Sequence, residues 1–280
     1  MSKVLFDKAS HQSSVLVTKL YSTSFSIAVK LLDPKIRQDI YNIYGFVRFA
    51  DEIVDSFHDF DKKMLLDKFE ADMHLALKNK ISLNPILNAF QETVHRYNID
   101  KQSIAAFMKS MRQDLSQKTY ESRTDYEAYI YGSADAVGLM CLTVFVNGNK
   151  ELYNELKPSA MRLGSAFQKV NFLRDIKQDV EQLGRTYFPS LNLNNLDNEV
   201  KKEIILEIEK DFLEAKKGIK KLPLRARFGV YVAYTYYMSL LKKLKNVPSE
   251  HIMTTRVRIS NPLKMLLVCR AYFRFKLNLL

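Results

Sequence analysis

The sequence predicts an all-α protein, and three observations carry that reading. Only 8 Gly and 7 Pro occur in 280 residues, well under the usual usage of roughly 7% and 5% for the residues that punctuate turns and sheet edges. Apolar residues recur at spacings of three and four along the chain, whereas the two-residue alternation of strands is nearly absent. Asx–Pro pairs, the device that opens helices, stand at the head of successive segments. Hydrophobic residues at 47% and charged residues at 26% exclude a disordered chain. No repeat of 20 to 50 residues and no low-complexity linker divides it, so residues 1–280 read as a single domain.

Taken in order, Asp33 and Pro34 predict the N-cap and first position of a helix running through Asp55, and Asn84 with Pro85 repeats the signal. Thr124 with Glu127 reads as a capping box for a helix reaching about Val146. Pro158 is expected to open a long apolar-periodic helix that ends near Leu183. Pro189, Pro223, Pro248 and Pro262 divide the remainder, and the Asn/Asp-rich stretch 191–199 reads as a surface loop or short turn.

Composition also limits function. Five histidines without HxxxH or HExxH spacing, and two distant cysteines, Cys141 and Cys269, argue against zinc, so a metal would be held by oxygen. Those cysteines, and the absence of a leader-like start, point to a reducing cytoplasm. The net charge of +12 calls for an anionic partner: a phosphorylated substrate, a membrane surface or nucleic acid. Nucleic acid is not expected, because no binding signature accompanies the charge. Between Lys242 and Lys276 the sequence places nine Lys and Arg against one acid, Glu250. That basic, aromatic C-terminal segment is compatible with peripheral association at the inner face of the cell membrane, and equally with a packed helix whose basic face is solvated. Its longest uncharged run, Met265 to Cys269, is too short to span a bilayer.

Two acidic stretches carry the chemistry. In Arg48-Phe49-Ala50-Asp51-Glu52-Ile53-Val54-Asp55, the carboxylates of Asp51 and Asp55 are one helical turn apart. In the second, Gln168, Asn171, Asp175 and Asp179 share one helix face at spacings of three and four. Rows of oxygen ligands in otherwise apolar helices are costly unless cations compensate them. Magnesium commonly bridges one or two carboxylates to substrate phosphates. An acidic, solvated helix face is the ordinary meaning of one such pair; Asp55 with Asp59 reads that way. The two true pairs differ in having an Arg beside each, Arg48 and Arg174.

In these motifs the chain resembles the squalene and phytoene synthases, head-to-head members of the trans-isoprenyl diphosphate synthases. The likeness extends from Tyr21-Ser22-Thr23-Ser24-Phe25 through Tyr44 and Arg48 to Tyr131-Gly132-Ser133-Ala134-Asp135-Ala136-Val137-Gly138. It continues to Gly184-Arg185-Thr186-Tyr187-Phe188-Pro189. The resemblance implies an isoprenoid synthase fold, helices around a central cavity with two facing acidic helices. It further implies joining of two prenyl diphosphates through a cyclopropylcarbinyl diphosphate, with geranylgeranyl diphosphate giving phytoene as the leading expectation. Dehydrosqualene or squalene formation from farnesyl diphosphate stands behind it, followed by a terpene cyclase and by a silent lipid-binding assembly factor.

On this resemblance Asp51, Asp55, Asn171, Asp175 and Asp179 hold Mg2+, or Mn2+ in its place, and no NADPH is needed for phytoene. Arg48 and Tyr131 join the four aspartates as catalytic candidates. Ser22, Ser24, Gln168, Arg174, Arg185, Tyr187, Arg256 and Lys264 are expected at the substrate, with Phe25, Tyr44, Tyr131 and Tyr236 as aromatic walls for a carbocation. The small residues Gly132 to Gly138 fit either passage of a prenyl tail or tight helix contact. Asp135 departs from the family pattern, which favours Gly there, and is expected to turn toward solvent or an Arg or to mark a subgroup.

Overall fold

The computed structural model describes residues 2–189 and 196–279. In chain order the helices are α1 (Ser2–Tyr21), α2 (Thr23–Lys30), α3 (Pro34–Ser56), α4 (Lys62–Asn79), α5 (Pro85–Tyr97), α6 (Lys101–Gln113), α7 (Arg123–Ile130) and α8 (Ala136–Val146). They continue as α9 (Lys150–Gln178), α10 (Asn198–Lys221), α11 (Leu224–Asn246), α12 (Ser249–Thr254) and α13 (Asn261–Lys276). Two π-helical turns complete the order: Tyr131–Asp135 joins α7 to α8, and Asp179–Leu183 extends α9. Among the described residues β pairing is limited to one isolated bridge between Thr119 and Thr186. The expected all-α class is what the chain adopts.

The caps show how far local chemistry sets the elements. Asp33 accepts a hydrogen bond from the Lys35 amide, and Asn84 accepts from Ile86 and Leu87, satisfying amides that have no partner inside the helix. Two boundaries differ from expectation. The cap of α7 is Ser122, whose hydroxyl accepts from the Asp125 amide at 3.0 Å, so the Thr124/Glu127 capping box does not form. Pro158 lies within α9, not at its head. Asn149 caps that helix by accepting from the Leu152 amide at 3.0 Å, and the helix tolerates Pro158 at the loss of one backbone bond. Gly184 ends the π turn after α9 with φ 61°, a conformation glycine adopts without steric cost. Of the stretch 191–199, residues 191–195 lie outside the described residues; Asp197 caps α10 by accepting from Val200.

Apolar periodicity then assembles the core. Along α3, Ile36, Ile40, Ile43, Phe46, Ala50 and Ile53 recur at three or four residues, and all are buried. Phe46 stacks on Phe90 of α5 with centroids 3.9 Å apart. One cluster joins α2 to α6, α8 and α11; a second joins α7, α9, α10, α11 and α12. The run Arg123–Val146 has the length and the mean hydropathy, 1.5, to cross a membrane, yet 61% of its apolar window is buried inside the protein. A helix apolar on every side must be covered, and here α3, α6 and α9 cover it. Close approach at this wall depends on glycine: a Cβ on Gly132 would come 2.6 Å from the Ala106 carbonyl oxygen, and one on Gly164 would come 2.8 Å from that of Ala134.

Candidate active site

A cavity of about 330 Å3 is walled mainly by the first cluster, with Phe167 and Tyr237 of the second at its side. Its walls are Phe25, Ala28 and Val29 from α2, Tyr44 and Val47 from α3, Ser133, Ala134 and Val137 from the π turn and α8, and Tyr237 from α11. Phe167, Gln168 and Asn171 face it from α9. Of the small residues 132–138, Gly132 makes a tight contact with α6, while Ser133, Ala134 and Gly138 border the cavity. Phe25 stacks on Tyr44 at 4.7 Å and Phe167 on Tyr237 at 4.0 Å.

The two acidic rows approach each other one helical turn beyond Val47 and Asn171 of the cavity wall. Asp55 on α3 acts on Asp179, beyond the end of α9: burial first, then the neighbouring charges of Asp175 and Asp55, push the Asp179 carboxyl up to about 8. Burial and the Asp55 charge likewise raise Asp51 to about 7, against the opposing pull of Arg48. Arg185 stands between the rows. Its Nη1 donates to Asp55 Oδ1 at 2.7 Å and to the Tyr187 hydroxyl at 3.3 Å, and its Nη2 donates to the Asp114 carbonyl at 2.7 Å. Arg48 pairs with Asp51 and Glu52 and lies 4.3 Å over the Tyr21 ring. Arg174 and Arg256 both bind Asp175, with Nε to Oδ1 distances of 2.9 and 2.7 Å.

Most expected site residues converge here. Ser22 caps α2 by accepting from the Phe25 amide at 3.2 Å, and Ser24 is half-buried on the first turn. Lys264 Nζ donates to Thr23 Oγ1 at 2.9 Å, bringing α13 to the same corner. Asn171 Oδ1 accepts from the Tyr237 hydroxyl at 3.3 Å. Tyr187 is buried, 3.8 Å from the stacked ring of Phe172.

Two expectations need correction. Tyr131 is 37% exposed and borders a separate outer cleft, two residues and about 200° around the helix from the buried Tyr129. Tyr236 is buried in the core and its neighbour Tyr237 faces the cavity. The stripe Gly229, Ala233, Tyr237, at four-residue spacing on α11, is the sequence signal for that register.

Tyr129 and Asp114 were not singled out from the sequence. The Tyr129 hydroxyl donates to Asp114 Oδ2 at 2.9 Å, and the Asp114 carboxylate lies 3.8 Å from Arg185. Burial raises Asp114 to about 8, with Arg185 opposing. Neither residue sits in a spaced acidic motif, so no local pattern marks them. Asp135, the departure from the family pattern, is buried away from the apolar cavity and accepts from Ser165 Oγ at 2.7 Å.

Among the described residues, no group of three or more His, Cys, Asp or Glu is gathered closely enough to cage a metal unaided. The donor set is all oxygen, in two rows, and the Asp51 and Asp179 carboxyls are held above their usual range. That suits Mg2+ bridged by one or two carboxylates, waters and a substrate phosphate, not a protein-only cage.

An apolar cavity with opposed acidic, arginine-paired helix ends one turn beyond its wall is the arrangement of an all-helical prenyltransferase. A sequence model of squalene/phytoene synthase matches residues 18–262, and the chain belongs to the squalene/phytoene synthase family. It is 28% identical to phytoene synthase 2, chloroplastic, of Solanum lycopersicum, over 91% of this chain and 87% of that protein. It is 26% identical to phytoene synthase 1, chloroplastic, of the same plant, spanning 90% of this chain but 65% of that protein's length. A crystal structure of a dehydrosqualene synthase in complex with ligand superimposes with a TM-score of 0.83, at 21% identity over 96% and 98% of the two chains; that likeness shows the fold.

Proposed function

We propose that the chain joins two molecules of geranylgeranyl diphosphate head to head to form phytoene, releasing two diphosphates. The observation that carries this reading is the approach of the two acidic rows, Asp55 acting on Asp179 with Arg185 bound to Asp55, one helical turn beyond Val47 and Asn171 of the apolar cavity. One diphosphate leaves, and the allylic cation is captured by the double bond of the second substrate. A proton is lost as the cyclopropylcarbinyl diphosphate forms. The second diphosphate then leaves, and rearrangement with loss of another proton gives the hydrocarbon.

Mg2+, when bound, supplies Lewis acidity to the departing phosphate oxygens; Asp51, Asp55, Asp175 and Asp179, with Asn171, are the residues that would hold it. The protein's own part is binding, orientation and exclusion of water. Arg48, Arg185 and Arg256 offer planar guanidinium groups suited to bidentate phosphate contact, with Lys264, Ser22 and Ser24 beside them. The stacked pairs Phe25/Tyr44 and Phe167/Tyr237 present aromatic faces to a cation, each worth about 0.5 to 2 kcal/mol when desolvated. Mostly apolar walls limit the groups that could trap it.

The test is product identification from purified protein with Mg2+ and either geranylgeranyl or farnesyl diphosphate, with and without NADPH. Phytoene from the longer substrate without NADPH supports the proposal. A C30 hydrocarbon from farnesyl diphosphate alone replaces it with dehydrosqualene or squalene formation, and release of no diphosphate from either substrate overturns it.

A further inference from the structure

Helix α13 is apolar on two opposite sides. Its inner side, with Leu267 and Ala271 buried, packs on α11, where Phe228 meets Phe275 with centroids 5.1 Å apart. The opposite side is what distinguishes this helix. Met265, Leu266, Tyr272 and Phe273 are 45 to 64% exposed, and Leu277 just beyond the helix is 67% exposed. At 100° per residue these five fall in one arc, with Arg270 and Lys276 interspersed on the same side. Scattered exposed apolar residues need no explanation, but a contiguous stripe of large ones does.

Charge selects what covers that stripe. The segment from Lys242 to Lys276 carries nine basic residues against Glu250 alone, and the helix itself carries none of the acidic groups that a self-complementary dimer contact would need against its own Arg and Lys. Exposed aromatic and aliphatic side chains interleaved with cations are the composition of a helix lying in the interface of an anionic bilayer, apolar side down and basic groups at the phosphate level. At about 1.5 Å per residue, the 16 residues of α13 present a strip about 24 Å long.

We infer that α13 docks the protein on anionic membrane surfaces through Met265, Leu266, Tyr272, Phe273 and Leu277, with Arg270 and Lys276 contacting lipid phosphates. Its first turn is tied to α2 through Lys264 and Thr23, and its inner side rests on α11, whose far side lines the cavity. The inference stands on this surface alone, whichever prenyl chain the cavity takes.

The experiment is flotation of the full chain, without substrate, with vesicles of phosphatidylcholine alone or mixed with phosphatidylglycerol. It compares wild type with Leu266→Glu/Phe273→Glu and with Arg270→Glu/Lys276→Glu, each checked for native helicity by circular dichroism. The expected result is wild-type flotation with the anionic vesicles, reduced at least tenfold in both variants and weakened by added salt. Diphosphate release from substrate in detergent micelles is expected to be unchanged in either variant. Equal flotation of wild type and variants would assign binding to another surface and overturn the inference. So would no wild-type flotation, or a wild-type dimer that Leu266→Glu/Phe273→Glu dissociates, which would make α13 a contact between copies of this chain.

Discussion

Arg185 is the group whose removal tests the site most directly. Its side chain is 6% exposed, and it bonds the Asp55 carboxylate, the Asp114 carbonyl and the Tyr187 hydroxyl. Burial alone would depress its pKa, but Asp114, Tyr187 and Asp55 outweigh that and hold the guanidinium firmly charged. Arg185→Met keeps the volume and removes the charge. Breaking a buried pair by deleting one partner costs about 3 to 5 kcal/mol; Asp55 is 31% exposed, which places the expected loss near the lower figure. A loss of about 3 kcal/mol lowers Tm by roughly 6 to 9 °C for a chain of this size. Urea unfolding with an unchanged m-value, beside a thermal scan, reads it. Arg185→Lys keeps the charge without the forked donors and is expected to recover part of the stability while turnover remains impaired. An Arg185→Met protein as stable as wild type would show that Arg185 does not bind the two acidic rows together.

The remaining predictions follow from the same geometry. Asp51→Asn or Asp175→Asn is expected to cut turnover by at least about 100-fold, the order lost when a charge-stabilising group is removed, with the circular dichroism spectrum unchanged; near-normal activity would take either residue out of the metal site. Tyr131→Phe is expected to leave turnover within about twofold, because its ring lies outside the cavity, whereas Tyr129→Phe should lose about 1 kcal/mol of stability with its bond to Asp114. Steady-state kinetics and urea melts on the pair would separate them. Burial, opposed by the Ser165 hydrogen bond, raises Asp135 from 3.8 to about 7. A raised folded-state pKa favours the protonated form, so this group's stabilisation is complete below pH 4 and is lost as pH rises toward 7. Asp135→Asn should lessen that slope, to which Asp51, Asp114 and Asp179 also contribute, in melts between pH 4 and 8; an unchanged slope would remove Asp135 as one of its sources.

Much of this protein is legible in one dimension because helices are local. Asp33–Pro34 and Asn84–Pro85 mark helix starts from within their own few residues, and the spacings Asp51/Asp55 and Asp175/Asp179 put each pair on one face before any tertiary contact is known. What the sequence could not decide was register across helices. Whether Tyr236 or Tyr237 looks into the cavity depends on how α11 rolls against α2 and α9, a rotation that moves a side chain by about 100° per residue. Tyr129 and Tyr131 lie on opposite sides of one helix, so Tyr129 enters the buried network and Tyr131 faces the outer cleft. Asp114 acquires its meaning only when Arg185, 71 residues away, folds back onto it. Local pattern chose the elements and the acidic rows; packing between distant helices chose which side chains share one cavity, because burial is a property of neighbours that no short window of sequence contains.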